Sequence, residues 1–272
     1  MKNIALGQYY PVASILQRMD PRMKVILAIL YIVASFLCRN VLSFAALLVS
    51  AILLVALSRI PLRTVLGAIR PLIFVMLFTA VVNVLWTGGD RLLVSFWRIH
   101  IYVEGLYNAA FIMIRILVLI LGASMFLTYT TTPIMLTDAL ERLLTPLRWI
   151  GLPVHDFAMM MTIALRFIPT LVEETDKIMA AQKARGADFS SGSPIARAKA
   201  LIPILVPLFV SAFRRADELA MAMECRCYRG GEGRTRLKIL HYRPTDFVAL
   251  GVMVLFGAAL LLLNRLGVGY TM

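Results

Sequence analysis

Two arginines stand near the ends of separate helical stretches, and each lies between two small residues. They are the central residues of Ala184-Arg185-Gly186 and of Cys225-Arg226-Cys227. A cation at a helix C-terminus is stabilised by the helix dipole, typically by about 0.3–1 kcal/mol, and this is the plain structural interpretation. Small neighbours also let a whole guanidinium enter a groove on a partner, where its planar fork can bond carboxylates or backbone carbonyls. Both arginines are therefore candidate docking cations.

The two arginines belong to a repeat with an offset of 41 residues. The offset places Asp176 on Asp217 and Arg185 on Arg226. It also places glutamates on arginines, namely Glu173 on Arg214 and Glu174 on Arg215. If the two helices cross as a pseudo-symmetric pair, equivalent positions meet near the crossing, and we expect these opposite charges to pair there. The alternative is that they are solvated surface charges that contribute little.

Three amphipathic helices are predicted to position these residues, in a segment that runs from 131 to 244. The first begins at Thr132 as N-cap with Pro133 in its first turn. The second runs from about Pro153 to Arg185 and bends near Pro169, and the third runs from about 195 to 226 and bends near its own two prolines. This segment holds most of the 15 acidic residues, so we expect it to lie outside the hydrocarbon.

The rest of the chain has the composition of a membrane protein. It is 60% hydrophobic with a mean hydropathy of +0.83 across all 272 residues. About five spans are predicted: two short ones between Lys24 and Ile60 with a turn at Arg39-Asn40, then 71–86, 107–127 and 245–264. An outer loop follows Trp86 and includes Trp97, both suited to the membrane interface. The prediction is an all-α polytopic protein with domains 1–130, 131–244 and 245–272, its N-terminus inside and C-terminus outside.

Several function classes are disfavoured by the residues. The net charge of +13 fits basic cytoplasmic loops, and no basic soluble domain suited to nucleic acid is present. Cys225 and Cys227 with His241 fall short of the four ligands of a structural zinc site. A membrane enzyme or a self-contained carrier stays as the alternative, but no nucleophile stands beside a base. Arg115, inside the fourth span, either serves function or pairs with a polar group on a neighbouring helix.

Four long stretches are similar to one transporter family. They are "RMDPRMK" from Arg18, "TTPIMLTDALERLLTPL" from Thr131, "LPVHDFAMMMTIALRFIPTLVEETDKIMAAQKARG" from Leu152 and "VPLFVSAFRRADELAMAMECRCYRGGEGRTR" from Val206. The chain closely resembles the transmembrane T component (EcfT, or CbiQ-type) of energy-coupling factor transporters. The resemblance covers nearly the whole chain.

The resemblance implies a scaffold in a bacterial cell membrane that couples ATP hydrolysis to uptake of vitamins or metal ions. Its implied partners are two cytoplasmic ABC-type ATPases and a membrane-embedded S component that binds the substrate. Ala184-Arg185-Gly186 and Cys225-Arg226-Cys227 match the two motifs that insert into the ATPases. The family commonly has glycine at the position of Cys227, and cysteine lacks the freedom that glycine gives a left-handed cap. No catalytic residue, cofactor or metal is implied for this chain.

An apolar face on the second and third amphipathic helices is the candidate cradle for the S component. Methionine suits a surface that must accept different partners. The candidate residues are Met159, Met160, Met161, Leu201, Leu205 and Leu208.

Overall fold

The computed structural model describes residues 9–12, 14–88, 92–96, 99–189, 193–230 and 240–266. Two compact units divide the chain. One is made of residues 7–139 and 240–272 and is called the membrane unit here, and the other, residues 1–6 and 140–239, is called the charged unit. The described residues are mainly helical, as the sequence predicts. The predicted boundaries at 130, 131 and 244 stay predictions.

The membrane unit is built from helices connected by short turns. Their bounds are α1 Ile15–Arg18, α2 Pro21–Leu37, α3 Val41–Ser58, α4 Leu62–Ile69, α5 Ile73–Trp86, α6 Val103–Ala123 and α10 Pro244–Arg265. A single 3₁₀ turn joins α4 to α5, and α6 ends in a π-helical turn, Ser124–Thr128. A two-stranded antiparallel hairpin, β1 Leu92–Phe96 and β2 Ile99–Tyr102, precedes α6. The predicted outer loop is therefore a hairpin in part, and Trp97 lies outside the described residues.

Among the described residues, four helical segments are long and apolar enough to cross a membrane. They are Val41–Ser58, Leu62–Trp86, Val103–Thr128 and Pro244–Arg265. The remaining predicted span corresponds to α2, which has 17 residues and is about 26 Å long at 1.5 Å per residue. The predicted turn at Arg39-Asn40 lies between α2 and α3. The membrane character predicted from composition is confirmed.

The core of the membrane unit forms where α2, α3 and α6 meet. Phe44 of α3 stacks on Phe111 of α6 with ring centroids 4.7 Å apart. Tyr31 of α2 is buried, and its hydroxyl lies 3.1 Å from the Ser50 hydroxyl. Gly122 lets α6 approach this ring closely, because a Cβ at 122 would overlap it. Aromatic packing of this kind supplies large buried area between helices that otherwise face lipid.

Helix α10 runs in the same direction as α2, because the two helices contact each other at their N-terminal ends and again at their C-terminal ends. At the beginning, the buried carboxylate of Asp246 accepts hydrogen bonds from the backbone N–H of Asp20 at 3.2 Å and of Arg243 at 2.8 Å. At the end, the Asn40 amide donates to the carbonyl of Asn264 at 3.1 Å. An odd number of crossings between the beginning of α2 and the end of α10 follows from this arrangement.

Arg115 has a structural partner on a neighbouring helix. Its guanidinium donates to the carbonyl of Cys38 at 3.0 Å, at the C-terminal end of α2, and lies 5.2 Å from the centre of the Phe44 ring. A cation at this position compensates the negative end of the helix dipole and bonds a carbonyl that has no partner within the helix. The structure therefore supports the second of the two interpretations given above for this arginine.

The charged unit is dominated by two long helices, α8 Val154–Ala184 and α9 Pro194–Cys225. A shorter helix, α7 Pro133–Leu144, enters this unit at its C-terminal end and is followed by a 3₁₀ segment, Thr145–Ile150. The hydroxyl of Thr132 accepts from the backbone N–H of Met135 at 3.3 Å, which confirms the predicted N-cap. The predicted prolines lie inside the helices: Pro169 in α8, and Pro203 and Pro207 in α9.

Candidate functional site: the matched helix ends of the charged unit

Helices α8 and α9 run in opposite directions along each other. Three side-chain contacts show this order: Met159 with Tyr228, Glu174 with Ser211, and Gln182 with Pro203. As the residue number rises on α8, it falls on α9. Position 172 and its equivalent in the repeat, 213, therefore lie near the middle of the pair, as expected for a pseudo-twofold arrangement.

One of the charge pairs predicted from the repeat is present near this middle. The guanidinium of Arg215 donates to the Glu174 carboxylate, and these residues are 41 positions apart. The Ser211 hydroxyl donates to the other oxygen of the same carboxylate at 2.8 Å. This prediction is confirmed. The second predicted pair is not part of the contact, since Glu173 and Arg214 are both exposed and the ion pairs of the described residues do not include them.

The surroundings of Glu174 favour its charged form. The hydrogen bond from Ser211, and then that from Arg215, hold the pKa of Glu174 below its usual value. Since both donors come from α9, the ionised carboxylate on α8 connects the two helices near their centre. The side chains of Glu174 and Arg215 are 24% and 37% exposed, so the pair is partly solvated.

A second contact compensates for a proline in α9. Pro207 has no N–H and cannot donate to the carbonyl of Pro203, four residues earlier. The amide of Gln182 on α8 donates to that carbonyl instead, at 3.3 Å. The turn of α9 that precedes Pro207 is thus bonded to α8, which reduces the cost of leaving a carbonyl without a partner.

Helix α8 ends in a Schellman motif with Arg185 as its C-cap. The N–H of Ala187 donates to the carbonyl of Gln182 at 3.0 Å, and the N–H of Gly186 donates to that of Lys183 at 3.0 Å. Gly186 has φ +87°, a left-handed conformation that glycine adopts without steric cost. The chain turns away directly after Arg185, so its side chain stands at the end of the helix.

Helix α9 ends in the same motif, although cysteine replaces glycine. The N–H of Tyr228 donates to the carbonyl of Met223 at 3.0 Å, and the N–H of Cys227 donates to that of Glu224 at 2.8 Å. Cys227 has φ +58°, so it occupies the left-handed position that Gly186 occupies in α8. The lack of glycine's freedom therefore does not prevent the left-handed cap. Arg226 has the place in this motif that Arg185 has in the first.

The two arginines are exposed and lie at opposite ends of the helix pair. Exposure extends to both flanking residues of each, which are Ala184, Gly186, Cys225 and Cys227. Because α8 and α9 run in opposite directions, Arg185 lies near the beginning of α9. The contacts place it beside about residue 200, roughly 39 Å from Arg226 along the helix at 1.5 Å per residue. The arrangement places two equivalent, exposed cations at opposite ends of the helix pair, as the repeat suggests.

The residues predicted to cradle a membrane partner differ in exposure. Met160 is 57% exposed, and Met161, Leu201 and Leu205 are also exposed. Met159 and Leu208 are half-buried, and the Met159 sulfur accepts from the Tyr228 hydroxyl at 2.9 Å. Met159 thus fixes the end of α9 and is less available to a partner than its two neighbours.

The structure adds exposed apolar residues that the sequence analysis did not select. They are Phe157 on α8 and Phe209, Val210 and Phe213 on α9. The helical spacing of these apolar residues around the two prolines was the sequence signal that could have identified this face. Large exposed apolar faces of this kind mark sites of protein or membrane contact.

The cysteine pair is exposed, and among the described residues no group of three or more His, Cys, Asp or Glu side chains is placed to bind a metal ion. His155 pairs instead with Glu141, its Nδ1 lying 2.8 Å from the carboxylate. This contact connects α8 to α7. The described surface of the charged unit thus combines exposed cations with exposed apolar side chains.

Fold and composition together define a class, namely an integral membrane protein that carries a charged helical unit. Comparison with known proteins makes this specific. The family model CbiQ, described as cobalt transport protein, matches residues 13–237. The chain is 50% identical over 250 residues to a protein of Clostridium kluyveri named energy-coupling factor transporter transmembrane protein EcfT, covering 92% of each. A protein of the same name from Bacillus subtilis is 45% identical over 264 residues, 97% of this chain and 99% of that relative.

The chain belongs to the CbiQ/EcfT family of energy-coupling factor transporter transmembrane proteins. The family resemblance stated from the sequence is confirmed. It identifies the chain as a membrane component of a transporter.

Proposed function

We propose that this chain is the force-transmitting scaffold of an energy-coupling factor importer in a bacterial cell membrane. Two ABC-type ATPases bind the charged unit on the cytoplasmic side, and an S component in the membrane holds the substrate. ATP hydrolysis takes place on the ATPases, and this chain converts their movement into reorientation of the S component. The transported substrates are vitamins or metal ions, the classes that the family resemblance implies.

The observation that carries the proposal is the equivalence of the two helix ends. Arg185 and Arg226 are the C-caps of two separate Schellman motifs of the same kind, 41 residues apart in the chain. Glu174 and Arg215, related by the same offset, pair at the middle of the helices. A pseudo-twofold pair with one exposed cation at each end suits a partner that is itself a dimer with two equivalent grooves.

Docking through an arginine at a helix end has a physical advantage. Each guanidinium stands beyond the last helical turn, where five N–H donors can bond acceptors in the wall of a groove. Buried arginines are frequent hot spots of protein interfaces, and removal of one typically costs about 2–4 kcal/mol of binding free energy. Two such anchors at separate ends resist rotation of the helix pair relative to its partner.

The S component is proposed to bind the exposed apolar face of the same two helices. Met160 and Met161 on α8, with Leu201 and Leu205 on α9, supply flexible and apolar contact area. Phe209 and Phe213 extend the face. When the ATPases approach each other, the helices that carry both Arg185 and Arg226 move with them, and the S component changes orientation.

Co-purification tests the docking step. The chain is expressed with its candidate ATPases as wild type and as the double variant Arg185→Glu/Arg226→Glu. Arg166→Glu/Arg214→Glu is the matched control, because these side chains are also exposed cations but lie along the middle of α8 and α9, away from both capped ends. We expect the ATPases to be lost only from the first variant, while both variants elute as folded, monodisperse protein.

Two results would contradict this proposal. Retention of the ATPases by Arg185→Glu/Arg226→Glu would show that both arginines are ordinary charges at helix ends. Equal loss from the control would show that general charge, and not the capped ends, holds the complex. Arg185→Glu and Arg226→Glu are then each tested alone for ATP hydrolysis and for transport. A variant that keeps its ATPases and hydrolyses ATP without transport has lost coupling and not assembly.

A further inference from the structure

An apolar groove lies in the membrane unit between α1, α3 and α10. Its volume is about 510 Å³. The walls are almost wholly apolar and include Leu53 and Leu57 of α3 and Val248, Val252, Met253 and Phe256 of α10. Both helices are long and apolar enough to cross a membrane, so the groove lies at the depth of the hydrocarbon.

The polar atoms beside the groove already have partners. The Ser50 hydroxyl donates to the Leu47 carbonyl at 2.7 Å and lies 3.1 Å from the Tyr31 hydroxyl. No buried polar group among the described lining residues therefore calls for a polar ligand. A hydrocarbon chain is the occupant that these walls fit, because burial of a polar molecule there would leave its own groups without hydrogen bonds.

A basic cavity adjoins one end of the groove. It has a volume of about 420 Å³ and shares Ile15 and Leu57 with the groove. Arg18 and Arg59 line it, both exposed, and among its described lining residues there is no acid. Arg18 precedes α2 and Arg59 follows α3, so the two cations lie where the spans end, at the level of lipid headgroups.

The conformation of Arg59 adds a second observation. It ends α3 with φ +54°, a left-handed conformation that glycine or asparagine adopts more easily. An arginine held in a strained backbone position suggests that its side chain is needed there. The basic loop that begins at Arg59 is predicted to face the cytoplasm, where anionic lipids attract basic residues.

We propose that this groove and the basic cavity together bind one anionic phospholipid, such as phosphatidylglycerol. An acyl chain lies in the groove between α3 and α10, and the phosphate lies between Arg18 and Arg59. The charge complementarity selects an anionic headgroup over a zwitterionic one. The bound lipid fills the space between α3 and α10 and connects α10 to the beginning of the membrane unit.

Native mass spectrometry of the full-length, delipidated chain in detergent tests this site. The probes are dioleoylphosphatidylglycerol, dioleoylphosphatidylcholine with the same chains, and glycerol 3-phosphate as the headgroup alone. We expect saturable binding of one phosphatidylglycerol, and weaker binding of the other two. Arg18→Ala/Arg59→Asn, in which asparagine tolerates the left-handed position, should weaken phosphatidylglycerol binding by roughly 30-fold.

Matched variants separate the site from general lipid contact. Arg39→Ala/Arg265→Ala removes two exposed arginines at the opposite ends of the spans and should leave binding unchanged. Val252→Phe fills the groove, whereas Val254→Phe adds the same volume to the opposite face of α10, at similar exposure. Only Val252→Phe should weaken binding.

Three outcomes would overturn the proposal. Equal binding of phosphatidylcholine would remove the role of the arginines, and tight binding of glycerol 3-phosphate would indicate a soluble phosphate site without the groove. Absence of any saturable lipid would leave the groove to an apolar partner helix. Because the site does not involve Arg185 or Arg226, its failure leaves the proposed scaffold function untouched.

Discussion

The left-handed cap at Cys227 offers a direct test of how α9 ends. Cys227 has φ +58° at the position where α8 has Gly186 at φ +87°. A residue with a Cβ in this conformation is strained by about 1–2 kcal/mol, and glycine is not. Replacement of Cys227 by glycine should therefore stabilise the end of α9 without any new contact.

The expected size follows from two opposing terms. Relief of the strain favours the glycine variant by about 1–2 kcal/mol, while the greater freedom of glycine in the unfolded chain costs about 0.5–1 kcal/mol. The net gain is about 0.5–1 kcal/mol. Gly186→Ala should destabilise by about 1 kcal/mol, because open space surrounds the position and only the backbone conformation opposes the new Cβ.

Thermal unfolding of the purified chain in one detergent measures both effects. A change of 1 kcal/mol shifts Tm by about 2–4 °C for a chain of roughly this size. Cys227→Ala is the control, since it removes the thiol but keeps the Cβ, and it should unfold like wild type. A Cys227→Ala variant that is as stable as Cys227→Gly would refute this reasoning, since that result assigns the gain to removal of the thiol. A Gly186→Ala variant with unchanged Tm would equally refute it.

The remaining predictions concern Glu174. A double-mutant cycle of Glu174→Gln and Arg215→Gln should give a small favourable coupling in unfolding, because the pair is partly solvated. A coupling of zero would place the pair among ordinary surface charges. Since the pKa of Glu174 is lowered in the folded state, its contribution is present above the unfolded pKa of about 4.3 and is lost as pH falls through the folded pKa. Wild type should therefore lose its stability advantage over Glu174→Gln in acid, and a pH-independent difference would contradict this.

Much of the charged unit could be predicted because it is encoded locally. Thr132 and Pro133 mark a helix beginning, and the offset of 41 residues was sufficient to predict that Glu174 and Arg215 meet. The repeat carries information about packing, since equivalent positions approach each other near a pseudo-twofold axis. Glu173 and Arg214 carry the same charges but face solvent, and the sequence does not distinguish the two pairs.

The membrane unit was predicted in outline, because span length and apolarity follow directly from bilayer thickness. Its internal contacts were not. The Cys38 carbonyl that accepts from Arg115 lies 77 positions away in sequence, and Asp20 and Asp246 are 226 positions apart. Local patterns carry no information about which distant helix ends meet.

The sequence by itself determined the membrane character, the helical elements, the family and the two arginines that end α8 and α9. These depend on hydrophobicity, capping residues and spacing, all properties of short stretches of chain. Only the tertiary structure decided that α10 runs alongside α2, that a cysteine completes the second cap, and that Arg18 and Arg59 line one cavity beside an apolar groove. The physical reason is that such contacts depend on how helices pack, and packing is set by the sum of many weak contacts between residues far apart in the chain.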